Sequence, residues 1–504
     1  MFIRSKPNKS GSFSIQIIEK QSGKYKVLET VGVAKNSKEK QALLTKAKQR
    51  VEILTCQPEL SFIGQDEQSI VKYLKSGISP QVKNIGPQLV LGKIFDSVGL
   101  NSIKEEMFRH ITLARLVYPS SKLKTSFYLQ QHYGIASEIS SIYRFLDRFY
   151  KKHKADVERI IFDHSCKVLG KVSVVFYDMT TLYFEAEDED DLRRIGFSKD
   201  GKFRHPQIML GLLVGENGYP IGYDMFEGNK FEGHTLIPFI KNIENKYKLA
   251  KPIIVADSGL LSQSNIASLS KEGYEYIIGS RIKNETDKIK QVILQKAKEL
   301  SDGKSKRINK KDGSSLIISY SVQRAKKDKH NRDKALVKLR KNISSGKLTK
   351  ESINNRGYNK FLSIENEVRV SLDEEKIKSE SAWDGLKGYA TNSNLSASKV
   401  IDQYKELWKI ETAFRISKTD LRIRPIYHRK RERIESHLCI AFAAYAIYKE
   451  LERQLDLNKI GISAAKAIDI TKTIFEISFT LPETGKTISI FSDLSDLQKK
   501  LINI

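Results

Sequence analysis

The run VSVVFYDMTTLYFE, residues 172–185, constrains the fold more than any other: β-branched and aromatic residues fill it almost without interruption, as in central strands covered on both faces. An amphipathic surface helix is excluded there. Upstream, from Pro87 to Leu169, apolar residues recur three or four apart in LVLGKIFDSVGL, FRHITLARLVY and ISSIYRFLDRFYKKHKADVERIIFDHSCKVL, which is the helical period. A boundary near Lys171 is the consequence. Downstream, HPQIMLGLLVGENGYPIGYDMFEGN reads as two strands joined through Glu216-Asn217-Gly218, a strong turn signal. A helix (TLIPFIKNIENKY), an apolar strand (PIIVADSG), another helix and the strand YEYIIGSR come next. The order strand, strand, strand, helix, strand, helix, strand predicts an α/β domain on a mixed sheet.

The flanks are organised differently. Residues 2–33 alternate polar and apolar positions around a Ser-Gly-Lys turn and predict a β meander, followed by a helix from Ser37 to Leu54. After Arg281 the chain turns lysine-rich, with ISYSVQRAKKDKHNRDKALVKLRKNISSGKL, and reads as an inserted basic subdomain. RIESHLCIAFAAYAIYKELERQL predicts a buried helix, and the last fifty residues a polar tail with one or two strands. The predicted segments are 1–84, 85–170 (an α-helical domain assigned to DNA binding), 171–285, 286–385, 386–455 and 456–504.

Charge narrows the partner. Lys and Arg number 87 against 60 Asp and Glu, a formal net charge of +27 over 504 residues, so a polyanion, nucleic acid first, is expected. A basic ribosome-associated or RNA-processing factor satisfies the same composition. Three cysteines, Cys56, Cys166 and Cys439, are too few for a disulfide framework and too far apart for a zinc pair. A reducing cytoplasm is expected. The start, MFIRSKPNKSGS, has no signal-peptide pattern, and the longest apolar run, CIAFAAYAIY, has ten residues, about half a membrane span.

Three acids stand out. Asp178 interrupts the apolar strand, where an unpartnered carboxylate costs several kcal/mol. Asp257 ends the strand IIVAD just before Ser258-Gly259, where strand termini present side chains to sites. Glu411 lies on a helix predicted from Ser398 to about Lys418. On a helical wheel Tyr404, Leu407, Glu411, Arg415, Lys418 and, if the helix runs on, Arg422 share one stripe. If the acids converge, each pair about 4 Å apart repels by roughly 4 kcal/mol at an effective dielectric near 20. A proton or cation must relieve it. Hard oxygen donors suit Mg²⁺ or Mn²⁺, and two such ions serve phosphoryl transfer.

The strings YDMTTLYFE, VADSGLLS and YKELWKIETAFRISKTDL resemble the three active-site blocks of insertion-sequence transposases of the DDE type. The blocks SKDGKFRHPQIMLGLLV and FEGNKFEGHTLIPFI add to the likeness, which covers about Val172 to Leu451. The resemblance implies an RNase H-like fold with its last acid on a helix and a β-rich insertion before it. The fold class is therefore α/β: an RNase H-like mixed-sheet catalytic domain in two parts, 171–285 and 386–455, with an insertion subdomain between, preceded by a small β/α N-terminal region and the α-helical domain. It implies that Asp178, Asp257 and Glu411 hold two Mg²⁺ or Mn²⁺ ions for end cleavage and strand transfer into target DNA. Tyr404, Glu411 and Lys418 match the YREK signature, and the family's arginine is Leu407 here, which cannot bind phosphate. Arg415 is the candidate replacement, and Tyr404, Lys418 and Arg415 are assigned to DNA. A homodimer on DNA in the cytoplasm, associated with the nucleoid, is implied. A non-catalytic end-binding protein and a nuclease that cuts without joining are the alternatives.

Arg281 and Lys283, after IIGS, are further candidates for the DNA channel. EAEDEDD, Glu185 to Asp191, reads as a solvated loop rather than a metal site. Trp383 reads as core, with base stacking as its alternative. His205, His234, His428 and His437 lack zinc spacing and read as ordinary hydrogen-bonding histidines.

Overall fold

The computed structural model describes residues 1–8, 11–21, 24–55, 80–135, 138–198, 201–230, 235–257, 259, 263–348, 354, 357–365, 369–480 and 485–504. Cys56, His234 and Ser258 lie outside the described residues. The chain divides into two compact units: Met1–Ile161 with Ser417–Ile423 and His428–Ile504, and Phe162–Ile416 with Arg424–Tyr427.

The first unit opens with the expected meander, β1 (Phe2–Pro7), β2 (Phe13–Gln21) and β3 (Lys24–Ala34), followed by α1 (Ser37–Thr55). Strand β4 (Gln81–Asn84) leads into five helices: α2 (Gly86–Val98), α3 (Glu106–Val117), α4 (Lys122–Tyr133), α5 (Ile139–Lys152) and α6 (Lys154–Leu169). The helical pattern from 139 to 169 is thus two helices, divided at His153.

The second unit carries the large sheet. Its strands are β5 (Val174–Tyr183), β6 (Gln207–Val214), β7 (Pro220–Glu227), β8 (Ile253–Ala256), β9 (Tyr276–Ser280), β10 (Ser305–Asn309), β11 (Ser315–Tyr320) and, beyond the small hairpin β12 (Leu362–Glu365) and β13 (Arg369–Leu372), β14 (Leu386–Thr391). They lie in the order β10-β11-β14-β9-β8-β5-β6-β7. β5, β6 and β7 pair antiparallel, whereas β5, β8 and β9 run parallel. This is the mixed α/β sheet expected from the order of elements. Helices α7 (Leu236–Tyr247) and α8 (Gln263–Lys271) supply Leu236, Phe239, Ile240, Ile243 and Leu269 to a core shared with Tyr177 and Ala256. The other face receives α12 (Ala397–Lys405) and α13 (Trp408–Arg415), which pack on β8, β9 and β5.

The insertion differs from a self-contained subdomain. Its hairpin β10–β11 pairs with β14 and so widens the main sheet, because Leu316 and Ile318 need the apolar cover of Ile282, Ile293 and Leu386. Helix α9 (Asp287–Ala297) belongs to that cluster through Ile293. Helix α10 (Val322–Ser344) buries Leu336 and Leu339 against Phe361 and Leu362 of the small hairpin. Helix α11 (Glu374–Ser381) comes next, and Trp383 packs partly buried against the Ile282–Ile293 cluster.

Back in the first unit, α14 (Arg431–Leu457) is the expected buried helix. No helix among the described residues is long and apolar enough to cross a membrane. The tail has the two strands expected of it, β15 (Phe475–Thr480) and β16 (Thr487–Phe491), and adds two helices, α15 (Ala464–Thr471) and α16 (Asp496–Ile502), with β15 between β16 and β4. Ile468, Ile474 and Leu501 are spaced too widely to be read as one strand or helix, yet all are buried. Cys166 and Cys439 are thiols outside any disulfide.

A cationic cluster lies buried in this unit. Arg115 donates to the carbonyls of Leu421 and Arg422, each at 3.4 Å, and its Nη2 lies 3.4 Å from Nδ1 of His437. The guanidinium can only donate, so Nδ1 accepts and Nε2 carries the proton to the Ile423 carbonyl, 3.0 Å away. Burial, then Lys122, Arg115 and Arg433, pushes the pKa of neighbouring His428 down to about 3. The folded state then binds fewer protons than the unfolded state between pH 6.5 and about 3, so this contribution is present above that window and is lost as pH falls through it. Thermal denaturation across the window should show a midpoint falling with pH and a shallower fall for His428→Gln. Equal slopes would contradict the assignment.

Candidate active site on the sheet

Every residue of β5 from Val174 to Leu182 is buried except Asp178, which is half-buried. Its Oδ1 accepts from the Met179 amide at 2.7 Å. In the parallel ladder Tyr177 stands opposite Ala256, so one step on, Asp178 is opposite Asp257, with strand axes about 4.8 Å apart. Opposed residues of a parallel pair share a face. Because Tyr177 and Ala256 point into the core beneath α7 and α8, Asp178 and Asp257 belong to the opposite face, where α13 packs on β5.

The expected single helix over 398–418 is interrupted. α12 ends at Lys405, α13 starts at Trp408, and Ile416–Asp420 is a π-helical turn. Arg422 lies beyond it with φ +46°. The wheel therefore fails as a single stripe, because each interruption rotates the residues beyond it. Within α13 the period holds: Leu407, Ile410, Ala413 and Phe414 are buried, leaving Trp408, Glu411 and Arg415 exposed. Leu407 is a packing residue at the helix start. Lys418 lies in Ser417–Ile423, the segment grouped with the first unit.

Tyr404 connects the helices to the carboxylates. Its hydroxyl donates to Asp257 Oδ1 at 3.2 Å. Its ring meets Tyr389 edge-on, with centroids 5.0 Å apart, and lies 4.7 Å from the Lys387 Nζ. Burial raises the Tyr404 pKa, and Asp257, Tyr389 and Glu411 push it the same way. It stays a neutral donor. Glu411 is therefore near enough to Tyr404 to be felt electrostatically. Burial and Arg324 depress the Lys387 pKa, with Asp257 opposing.

Sequence reasoning misses two residues here. A Cβ on Gly279 would stand 2.4 Å from the Tyr404 hydroxyl oxygen, so β9 must be bare at this point for the phenol to reach Asp257. The glycine inside the apolar YIIGS is the available signal for such a close approach. Lys387 carries none, being one lysine among many.

The remaining candidates are dispersed. Lys283 is bound to Glu380 at 2.7 Å, and Lys360 shares that carboxylate. Arg281 is exposed just beyond β9. In the acidic run, Asp190 accepts from the amides of Leu192 and Arg193 and from the Arg193 guanidinium. Among the described residues no group of three His, Cys, Asp or Glu side chains stands ready to hold a metal ion. The fold thus brings two acids together and sets the third on the helix packed over them. All are carboxylates, the oxygen donors that Mg²⁺ and Mn²⁺ take.

The family model described as transposase DDE domain matches residues 170–447, more than half of the chain. No curated protein matches the chain. Among solved structures, the chain is similar to the piggyBac transposase of a synaptic complex with hairpin DNA, at 11% identity and a TM-score of 0.39, covering 77% of this chain and 76% of that one. It is also similar to the Mos1 transposase of a paired-end complex with the left transposon end, at 11% identity and a TM-score of 0.16, covering 34% and 58%.

If Gly279 and Tyr404 act through one bond, Gly279→Ala and Tyr404→Phe should be non-additive. A double-mutant cycle read by denaturation should give a coupling of about 0.5–3 kcal/mol, and simple additivity would contradict the linkage. The chain belongs to the DDE-domain transposase family.

Proposed function

We propose that this transposase cleaves a phosphodiester at the ends of its own mobile element and uses the freed 3′-hydroxyl to attack target DNA. The observation that carries the reading is the register that sets Asp178 beside Asp257 on the face covered by the helix of Glu411. Side by side, the two carboxylates repel, and a divalent cation converts that repulsion into binding. Asp178, Asp257 and Glu411 would hold two Mg²⁺ or Mn²⁺ ions, whose chemistry when bound would be to activate an attacking oxygen and stabilise a departing one. The Tyr404 hydroxyl fixes the Asp257 carboxylate in orientation. Arg415, exposed one turn after Glu411, would contact the phosphate backbone in this reading, with Arg281 and Lys418 as further cations for DNA. Two ends must be brought together, so a homodimer on DNA is part of the reading.

Asp178→Asn, Asp257→Asn and Glu411→Gln should each reduce Mg²⁺-dependent strand cleavage to background while end binding, measured by gel shift, is retained. EDTA should abolish cleavage by the unaltered protein in the same way. Cleavage retained in any of the three variants would overturn the assignment. A cut product without joined product in the presence of a target plasmid would favour the nuclease alternative.

A further inference from the structure

The loop after β5 presents aromatic rings to solvent from a fixed base. Phe197 is 77% exposed, the most exposed large apolar side chain among the described residues, and Phe203 is 59% exposed. The Gln207 side chain, 1% exposed, donates to the Phe197 carbonyl at 3.1 Å and to the Gly228 carbonyl at 2.9 Å. Arg194 and Gln207 exchange two backbone hydrogen bonds at 3.0 and 3.1 Å. A Cβ on Gly196 would stand 2.3 Å from the Gly228 carbonyl oxygen, so the backbone just before Phe197 lies tight against its neighbour. A buried polar anchor thus holds an apolar ring in water, where its exposure is unfavourable unless something covers it.

The surroundings say what covers it. The rings of Phe197 and Phe203 form a tilted pair, with centroids 6.5 Å apart and planes at 58°, the geometry of two aromatic rings in contact, which leaves their outer faces for a base. Lys202 and Arg204 are exposed on either side of Phe203. Lys202 and Arg424 lie 5.5 and 5.8 Å from the Tyr183 ring, and exposed Tyr427 follows Ile426, which bridges to Phe184. Of the acids in the same loop, Asp190 is taken up by Arg193 and Asp191 lies 3.8 Å from Arg194, while Glu185, Glu187 and Asp188 are exposed and set the side of the loop that a phosphate avoids. Aromatic faces interleaved with cations bind unpaired nucleotides, the rings stacking on bases of any identity and the cations neutralising phosphates.

We propose that this loop, with Arg424 and Tyr427, is a platform for the unpaired bases of a DNA strand near the reacting phosphate. It rests on the reading that DNA is the substrate. Tyr183 is five residues beyond Asp178 on β5, roughly 17 Å along the strand, a span of a few nucleotides. Single-stranded DNA is thus engaged a few nucleotides from the cut.

The test uses the full chain in EDTA, where no strand is cut, with a labelled oligo-dT strand and a duplex of the same length, read by fluorescence anisotropy. The double variant Phe197→Ala/Phe203→Ala should lose single-strand affinity on the order of 10- to 100-fold, with duplex affinity changed by less than about threefold. Phe197→Leu/Phe203→Leu, which keeps apolar bulk, should show the same selective loss. Lys202→Gln/Arg204→Gln should weaken both and flatten the single-strand salt dependence by about 1.4 log units per log unit. Unchanged single-strand binding in the phenylalanine variants, an equal loss on duplex, or a change only in self-association would overturn the platform. Duplex binding by the unaltered protein reports separately on the DNA reading.

Discussion

The parallel pairing of β5 with β8 is the constraint on which the site depends. Two strands that alternate core and solvent faces in register cannot present Tyr177 and Ala256 to one side without presenting Asp178 and Asp257 to the other. The apolar packing under α7 and α8 therefore fixes the carboxylate pair as firmly as it fixes the core. A one-residue slip of β5 would turn Asp178 toward the core and Tyr177 away from it. Charge repulsion within the pair is held in place by hydrophobic burial elsewhere.

On the opposite face, Tyr404 and α13 complete the arrangement. The phenol satisfies one oxygen of Asp257, and bare backbone at Gly279 gives it room. Leu407, Ile410, Ala413 and Phe414 seat α13, which leaves Glu411 and Arg415 at the surface one turn apart. Glu411 is thus spared any role in the core. The chain's formal net charge of +27 favours a polyanion as partner.

Much of this is legible in the residues. The continuous apolar run around Asp178, the strand ending at Asp257 and the helical period before Lys171 each carry their own local signal, and the sheet grows out of their order. Three things are not legible. The helix of Glu411 is broken at Glu406–Leu407 and continues into a π turn at Ile416–Asp420, because burial of Leu407 and Ile416 overrides a uniform wheel. The hairpin β10–β11 joins the main sheet because its apolar residues find cover only there, a long-range fact that lysine-rich composition conceals. The C-terminal fifty residues fold through β15 on β4, a pairing between Phe475–Ser478 and Gln81–Asn84 that no local pattern announces. The Tyr404–Asp257 bond is equally invisible, since the wheel places the tyrosine beside Glu411 without showing what its hydroxyl meets.

Whether the register builds a divalent-cation site is open to direct measurement, by anomalous diffraction at the manganese edge from crystals of the protein soaked in Mn²⁺. A peak about 2.2 Å from carboxylate oxygens of both Asp178 and Asp257 is expected. Manganese bound elsewhere, with the Asp178–Asp257 pair left without an ion at saturating metal, would contradict it.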